Sequence, residues 1–385
     1  MHLSKRLPPT FSTNSLSDRL LELKREGQPI FDLTLSNPSL CGFSYPEDAI
    51  ISALGSKDVF NYSPDPKGLM GARSAIAEMH GCLNPDQIQL TSSTSEAYSM
   101  LFKLLADPGD NVLVPSPSYP LFEWLARLEG IEARPVPSIW HDGWNMDVQG
   151  IEDACDAKTK AIVIVNPNNP TGQFLTKAEW KGLNDVAAKK KLPIIADEVF
   201  ACYPIEPQQE AIGSILNEPK GNCPVFLLSG LSKAALLPQL KLGWIAMLGP
   251  AIEISEHLAF LADQYLSVSA PTALAAPQLI ALAPELQRRA IDRVKTNLDI
   301  LDKLLSGHPH IGRMPVHGGW SVLIQRPDTE DDEACVERLL SDHRVLVHPG
   351  HFYDIPKNGF LVASLLPSHT DFAQASQALL NGMSL

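Results

Sequence analysis

Short, continuous apolar runs recur through the middle of the chain, at residues 111–114, 161–165, 193–196, 225–228 and 244–248. Their brevity and their lack of alternation suit strands buried on both faces of a parallel sheet. Between them lie stretches with helical period, at 119–128 and 177–190. Strand alternating with helix predicts an α/β fold, a large domain with a mostly parallel central sheet flanked by helices. Near the start, leucines at 16, 20, 21 and 23 followed by Gly27 predict a short helix over 15–26, and 30–35 reads as extended chain. Helical patterning dominates from residue 251, with one long stretch at 284–305. A second mixed region follows, strand-like at 320–324, 344–348 and 360–364 and helix-like at 332–341. It predicts a smaller α+β domain.

The chain has 385 residues, enough for two or three domains at about 150 residues each. Hydrophobic residues make up 44% and charged residues 19%, which excludes a disordered chain and provides for a sizeable core. The net charge of −13 argues against a general nucleic-acid binder, which needs clustered cations. The one cationic run, Lys189-Lys190-Lys191, falls at a predicted helix end and reads as a solvated terminus. No stretch of 18 apolar residues appears, so no spanning helix and no membrane partner are expected. The first ten residues lack the apolar core of a secretory signal. Cys41, Cys82, Cys155, Cys202, Cys223 and Cys335 are scattered, with no metal-ligand spacing. They read as free thiols, and the expected location is cytoplasmic.

The chemistry follows the apolar runs. Residues 161–165 lead into Asn166-Pro167-Asn168-Asn169-Pro170-Thr171-Gly172, 193–196 into Asp197-Glu198, and 225–228 into Ser229-Gly230-Leu231-Ser232-Lys233. Ligands of open parallel sheets bind at the carboxyl ends of the strands. An amide, a carboxylate and an amine therefore converge on one edge. A fourth element, Ser92-Ser93-Thr94-Ser95-Glu96, precedes the helical run 97–105. Ser93 and Glu96 have capping-box spacing, and hydroxyls beside free N–H groups at a helix start suit a phosphate. Each piece alone has a plain alternative: a turn, a solvated lysine, an ordinary capped helix. Their order and common position favour a site.

That order resembles the class I/II aminotransferases, the fold-type I family that uses pyridoxal 5′-phosphate (PLP). The resemblance begins at Tyr62, Gly68 and Arg73. It runs through 91–97, Pro117-Ser118-Tyr119, Asn169-Pro170-Thr171-Gly172, Asp197-Glu198-Val199 and Ser232-Lys233. It ends at His348-Pro349-Gly350 and 360–364. It implies a large PLP-binding domain over 45–285 and a small domain made of 1–44 with 286–385. It implies Lys233 as the lysine that bonds to PLP and shuttles the proton, and Asp197 as the partner of the pyridinium nitrogen. Asn169 would hold the phenolic oxygen and Tyr119 would stack on the ring. Thr94, Ser95 and Lys241 would hold the phosphate. Tyr62 would reach the phosphate from the second subunit of a homodimer. The reaction implied moves an amino group from an amino acid or related amine to a 2-oxo acid. The alternatives are a PLP-dependent carbon–sulfur β-lyase or decarboxylase on the same scaffold, or a PLP-binding regulator without turnover.

Four positions depart from the family pattern. Phe200 stands where tyrosine is usual, Gly230 where serine or threonine is frequent, Lys241 where arginine is usual, and Val362 where an arginine usually clamps the substrate carboxylate. Arg326 and His351 are the candidates to replace that clamp.

Overall fold

The seven-stranded main sheet has the order Ile88–Thr91, Gly243–Leu248, Val225–Gly230, Ile194–Asp197, Thr159–Val165, Asn111–Ser116, Glu132–Pro137. The computed structural model describes residues 4–8, 14–81, 83–140, 143–219 and 221–383. Gly243–Leu248 runs antiparallel to both neighbours, and the other pairs are parallel. All five expected strands are present, most of them one or two residues longer than the apolar runs. The two edge strands Ile88–Thr91 and Glu132–Pro137 were not foreseen. The second of these is largely exposed and contains two prolines, which are tolerated at an edge where no ladder N–H is needed.

Period-two alternation assigns the two faces. Val112, Val114, Val163, Ile195, Phe226, Leu228, Ile245 and Met247 pack with Ala97, Tyr98, Leu101 and Phe102 of the Thr94–Leu105 helix and with Phe122 and Leu258. Leu113, Ile162, Ile164, Ile194, Ala196, Leu227 and Trp244 pack on the other side with Trp180, Leu183 and Ala187 of the Lys177–Lys190 helix. That helix ends as expected. Lys191 takes φ 57 as its cap and Lys189 pairs with Glu152 at the surface. Continuing the alternation, Asp197 shares a face with Ile195, and Glu198 turns to the opposite one.

The second sheet is antiparallel, in the order Gly312–Arg313, Ser321–Gln325, Phe360–Ser364, His348–Pro349. The expected strand at 344–348 divides in two. Val345–Leu346 pairs with Phe31–Asp32, while His348–Pro349 joins Phe360–Ser364. The N-terminal segment is thereby tied to the C-terminal region. The helices Ala283–Leu305 and Asp332–His343 both pack on His369–Met383, and Ser15–Arg25 packs on Asp332–His343. Five cysteines are free thiols, and Cys82 lies outside the described residues. Among the described residues no helix is long and apolar enough to cross a membrane.

Candidate active site

Lys233 follows the Val225–Gly230 strand on a short helix, Leu231–Ala234. Its carbonyl accepts from Tyr203 Oη. Its ammonium lies 4.7 Å from the Trp320 ring and 5.4 Å from the Phe200 ring. Burial lowers the Lys233 pKa to about 8, against a smaller opposing pull from Asp197. Ring faces attract a cation, yet desolvation outweighs them and favours the free amine.

Asp197 ends its strand, buried. Tyr98 Oη donates to Oδ2 at 3.0 Å and the Val199 N–H donates to Oδ1 at 3.1 Å. Burial nonetheless raises its pKa to about 6, with those two bonds and Lys233 pulling the other way. Two hydrogen bonds and the Lys233 charge thus only part-stabilise its charged form. Glu198, on the far face, is satisfied by Asn166 Nδ2, Ser214 Oγ and the Ile215 N–H. It is a structural carboxylate, its pKa raised to about 7 by burial.

The anion cup is the first turn of the Thr94–Leu105 helix. Ser93 caps it, its Oγ accepting from the Glu96 N–H at 3.2 Å. The expected capping box forms only in half. Glu96 instead accepts from the Ser92 N–H and, at 2.7 Å, from Ser267 Oγ. Gly243 lets the neighbouring strand approach, since a Cβ there would stand 2.9 Å from the Ser93 carbonyl carbon. That strand brings in Lys241, two residues earlier, in a left-handed conformation at φ 49. Gly230 has a similar cause: a Cβ would lie 3.0 Å from the Leu242 carbonyl oxygen.

Most of the segment 166–172 is scaffolding. Asn166 bonds Glu198 and the Leu175 N–H, and Asn168 bonds the Pro117 carbonyl and Thr171. Gly172, at φ 70, would press a Cβ within 2.8 Å of the Gly318 carbonyl oxygen. Asn169 alone of these asparagines lines the cavity, with Ser321 Oγ 3.5 Å from its Oδ1.

These side chains surround one cavity of about 340 Å³, lined by Thr94, Ser95, Tyr119, Asn169, Asp197, Lys233 and Lys241. Seven of the eight site residues expected from sequence thus come together. Tyr62 does not. It is 86% exposed and lines a second cavity with Asp58, Asp65 and Leu266. Gly68 and Arg73 build the loop that presents it. Arg73 bonds the Gly68 carbonyl, Asp65 and the Pro85 carbonyl, and a Cβ at Gly68, φ +91, would lie 2.4 Å from Leu90. Neither candidate for the clamp lines the Lys233 cavity. Arg326 is buried and paired with Asp332, and His351 is exposed. Tyr98, Trp320, Ser321, His348, Tyr353 and Ser364 line the cavity and were not assigned to it from sequence. A residue's face on a strand of unknown pairing leaves no local signal. Tyr98, one turn after Thr94 on the same helix, was the one that the sequence spacing could have pointed to.

The arrangement offers an amine of lowered basicity, a buried carboxylate awaiting a cation, and a cup for a phosphate dianion. The comparisons with known proteins agree. The family model for aminotransferase class I and II matches residues 33–371. Nicotianamine aminotransferase 1 of Oryza sativa subsp. japonica is 30% identical over 386 residues, covering 93% of this chain and 74% of that one. Mouse tyrosine aminotransferase is 26% identical, with 92% and 81% covered. Alanine aminotransferase from Pyrococcus furiosus superposes with a TM-score of 0.87 at 25% identity, covering 99% of both chains. The chain belongs to the class I and II aminotransferases, and it is a transaminase of PLP fold type I that uses pyridoxal phosphate.

Proposed function

We propose that the Lys233 cavity is where this enzyme transfers an amino group from an amino acid or related amine to a 2-oxo acid. The carrying observation is that Lys233, Asp197 and the anion cup line one cavity. The residues fit PLP group by group. Asp197, whose burial leaves it short of a counter-charge, answers the ring nitrogen. Asn169 answers the phenolic oxygen, Tyr119 the ring face. Thr94, Ser95, the first-turn N–H groups and Lys241 answer the phosphate. Lys241 acts as a point charge, without the two-pronged grip of an arginine.

PLP, when bound, supplies an electron-withdrawing ring that acidifies the donor's Cα–H. Asp197, ionised, keeps the ring nitrogen protonated, and Tyr98 and the Val199 N–H hold the carboxylate in place. Lys233 Nζ, once free, takes the proton from the donor's Cα and returns it to the product side. Its low basicity keeps a useful fraction unprotonated near neutral pH. Phe200 brings no hydroxyl to the phenolic oxygen. Its ring and the Trp320 ring instead wall off water from Lys233.

A homodimer is part of this reading, with Tyr62 serving the other subunit's cup. The exposure of Phe60, Tyr62, Phe260 and Tyr265 supports it. The same reading divides the chain into a large domain, 45–285, and a small one formed by 1–44 with 286–385, and the pairing of Phe31–Asp32 with Val345–Leu346 is in keeping with it. Borohydride treatment of the holoenzyme followed by peptide mapping tests the assignment. The cofactor is expected on Lys233, and label on another lysine sinks it. Turnover is expected to require a 2-oxo acid and to release no ammonia, which separates transamination from β-elimination.

A further inference from the structure

The cavity has two differently charged walls. The main-sheet side carries Lys233, Lys241 and Asp197. The small-sheet side is formed by Trp320, Ser321, His348, Tyr353, Val362 and Ser364. A carboxylate brought out of water needs a cation or several hydrogen bonds. Among the described residues lining the cavity, the cations are Lys233 and Lys241, both committed to the cofactor. Arg326 is turned away to Asp332. The Tyr62 cavity, which a second copy would contribute, is lined by Asp58 and Asp65 and by no cation among its described residues.

One group on the small-sheet side can become cationic. His348 is the cross-strand partner of Val362, so the two side chains project from the same face. Its Nδ1 lies 3.3 Å from Tyr353 Oη, and its ring stacks on Phe352 at 4.9 Å between centroids. Tyr353 in turn lies 6.4 Å from Tyr119. The Nε2 atom has no hydrogen-bond partner among the described residues. The ring is thus oriented from one nitrogen and open at the other.

We propose that His348 recognises the substrate carboxylate through Nε2 as an imidazolium, taking up a proton as the substrate enters. The inference rests on this cavity being the transamination site. It gives the enzyme a pH-dependent clamp where Val362 can offer none.

The charges around His348 set the sign. Asp32, on the paired N-terminal strand, favours the charged ring, but burial outweighs it and lowers the His348 pKa. Tyr353 stays a neutral hydroxyl, its own pKa pushed upward by burial. Asp354 in the same turn has a raised pKa. Asp332 of the packed helix is neutralised by Arg326, and Lys233 and Asp197 stand across the cavity. The free enzyme therefore holds His348 neutral at pH 7. A bound carboxylate favours the charged form and raises the pKa. Affinity for the carboxylate then falls by up to about tenfold per pH unit between the free pKa, which lies below the ordinary value of about 6.5, and the raised pKa of the complex, and levels off above that.

Calorimetry on the holoenzyme tests this with 3-phenylpropionate, an unreactive carboxylate, and with its uncharged amide, in two buffers of different ionisation enthalpy. At pH 7.5 the carboxylate is expected to bind with uptake of most of one proton. Its Kd is expected to rise with pH from about 6.5 upward, by up to about tenfold per unit, until the raised pKa of the complex is passed, while the amide binds without either effect. His348→Gln, with folding checked by thermal melting, is expected to lose the uptake and the slope. No proton uptake in the unaltered enzyme overturns the proposal, as does a carboxylate bound no better than the amide at pH 6. An unchanged slope in His348→Gln does so too. Failure of the site assignment looks different: the cofactor's visible absorbance would not respond to amino acids at all.

Discussion

Tyr98 Oη donates a 3.0 Å hydrogen bond to Asp197 Oδ2 across 99 positions of sequence. The tyrosine hydroxyl is itself buried, and its pKa lies well above the ordinary value, first from burial and then from Asp197. It therefore keeps its proton and donates it to the carboxylate. Its bond opposes the desolvation that raises the Asp197 pKa, so the Thr94–Leu105 helix provides both the proposed phosphate cup and the tuning of the carboxylate.

Removing that donor moves a pH limit. Asp197 in the apoenzyme is charged above about pH 6, and PLP capture through ring pairing weakens as pH falls through that value. Tyr98→Phe leaves only the Val199 N–H, which raises the Asp197 pKa further. The onset of weakened PLP binding is expected to shift to higher pH, with about tenfold weaker binding at pH 6, the worth of one hydrogen bond to a charged group. Equilibrium dialysis across pH 5 to 8 measures it. An unmoved onset means that the bond is structural. Asp197→Asn is expected to cost about two orders of magnitude in kcat, roughly 3 kcal/mol, at every pH.

Lys233 offers a second pH reading. Its pKa of about 8 follows from burial, so the amine is protonated below that value and free above it. Covalent capture of PLP by apoenzyme, trapped with borohydride after short incubation, is expected to accelerate through about pH 8. A solvated lysine would do so nearer 10.4. Trp320→Ala opens the ring wall to water, and the midpoint is expected to climb. A midpoint near 10 in the unaltered protein contradicts the burial argument.

Much of this was legible in the chain because the main sheet is parallel. Its strands are buried on both faces and stand out as apolar runs, and the residue after each run sits by geometry at the ligand edge. Asp197, Lys233 and Asn169 were found that way. The small-sheet wall was not, since its strands are short and their faces depend on pairings far apart in sequence. His348 shares the cavity with Val362 only because its strand pairs with Phe360–Ser364. Arg326 shows the reverse failure. As a strand-end arginine it looked available, and the Gly359 and Phe360 N–H groups that share its partner Asp332 could not be foreseen.

Arg326 and Asp332 should therefore govern stability and leave catalysis alone. Both are nearly fully buried, and the guanidinium also donates to the Pro327 and Glu330 carbonyls. Arg326→Met strands a buried carboxylate and is expected to cost about 3 kcal/mol or more. KM and kcat of the folded fraction are expected to stay unchanged. A rise in KM for 2-oxo acids without a drop in melting temperature would return Arg326 to the site.

Val362 is where clamp strength is decided. It is 2% exposed and packs with Trp144, Leu323, Tyr353, Ile355 and Phe360, so the wild-type wall offers apolar surface beside a histidine held neutral. Simple substrates gain little there above neutral pH. KM for pyruvate at pH 8 is expected above ~1 mM, beyond the usual upper range. Pyruvate is the cleaner probe because it lacks the amine whose own titration overlays that of alanine. Val362→Arg places a permanent cation next to His348. It is expected to lower KM for pyruvate at pH 8 about tenfold and to flatten the pH dependence, since an arginine needs no proton uptake. The cost falls on the empty enzyme, where the new charge is buried unpaired, so stability is expected to drop by about 3 kcal/mol and to recover as a carboxylate binds. A KM for pyruvate well below 1 mM at pH 8 in the unaltered enzyme would mean that an uncharged wall holds carboxylates unaided, and the case for a weak clamp at Val362 would fall.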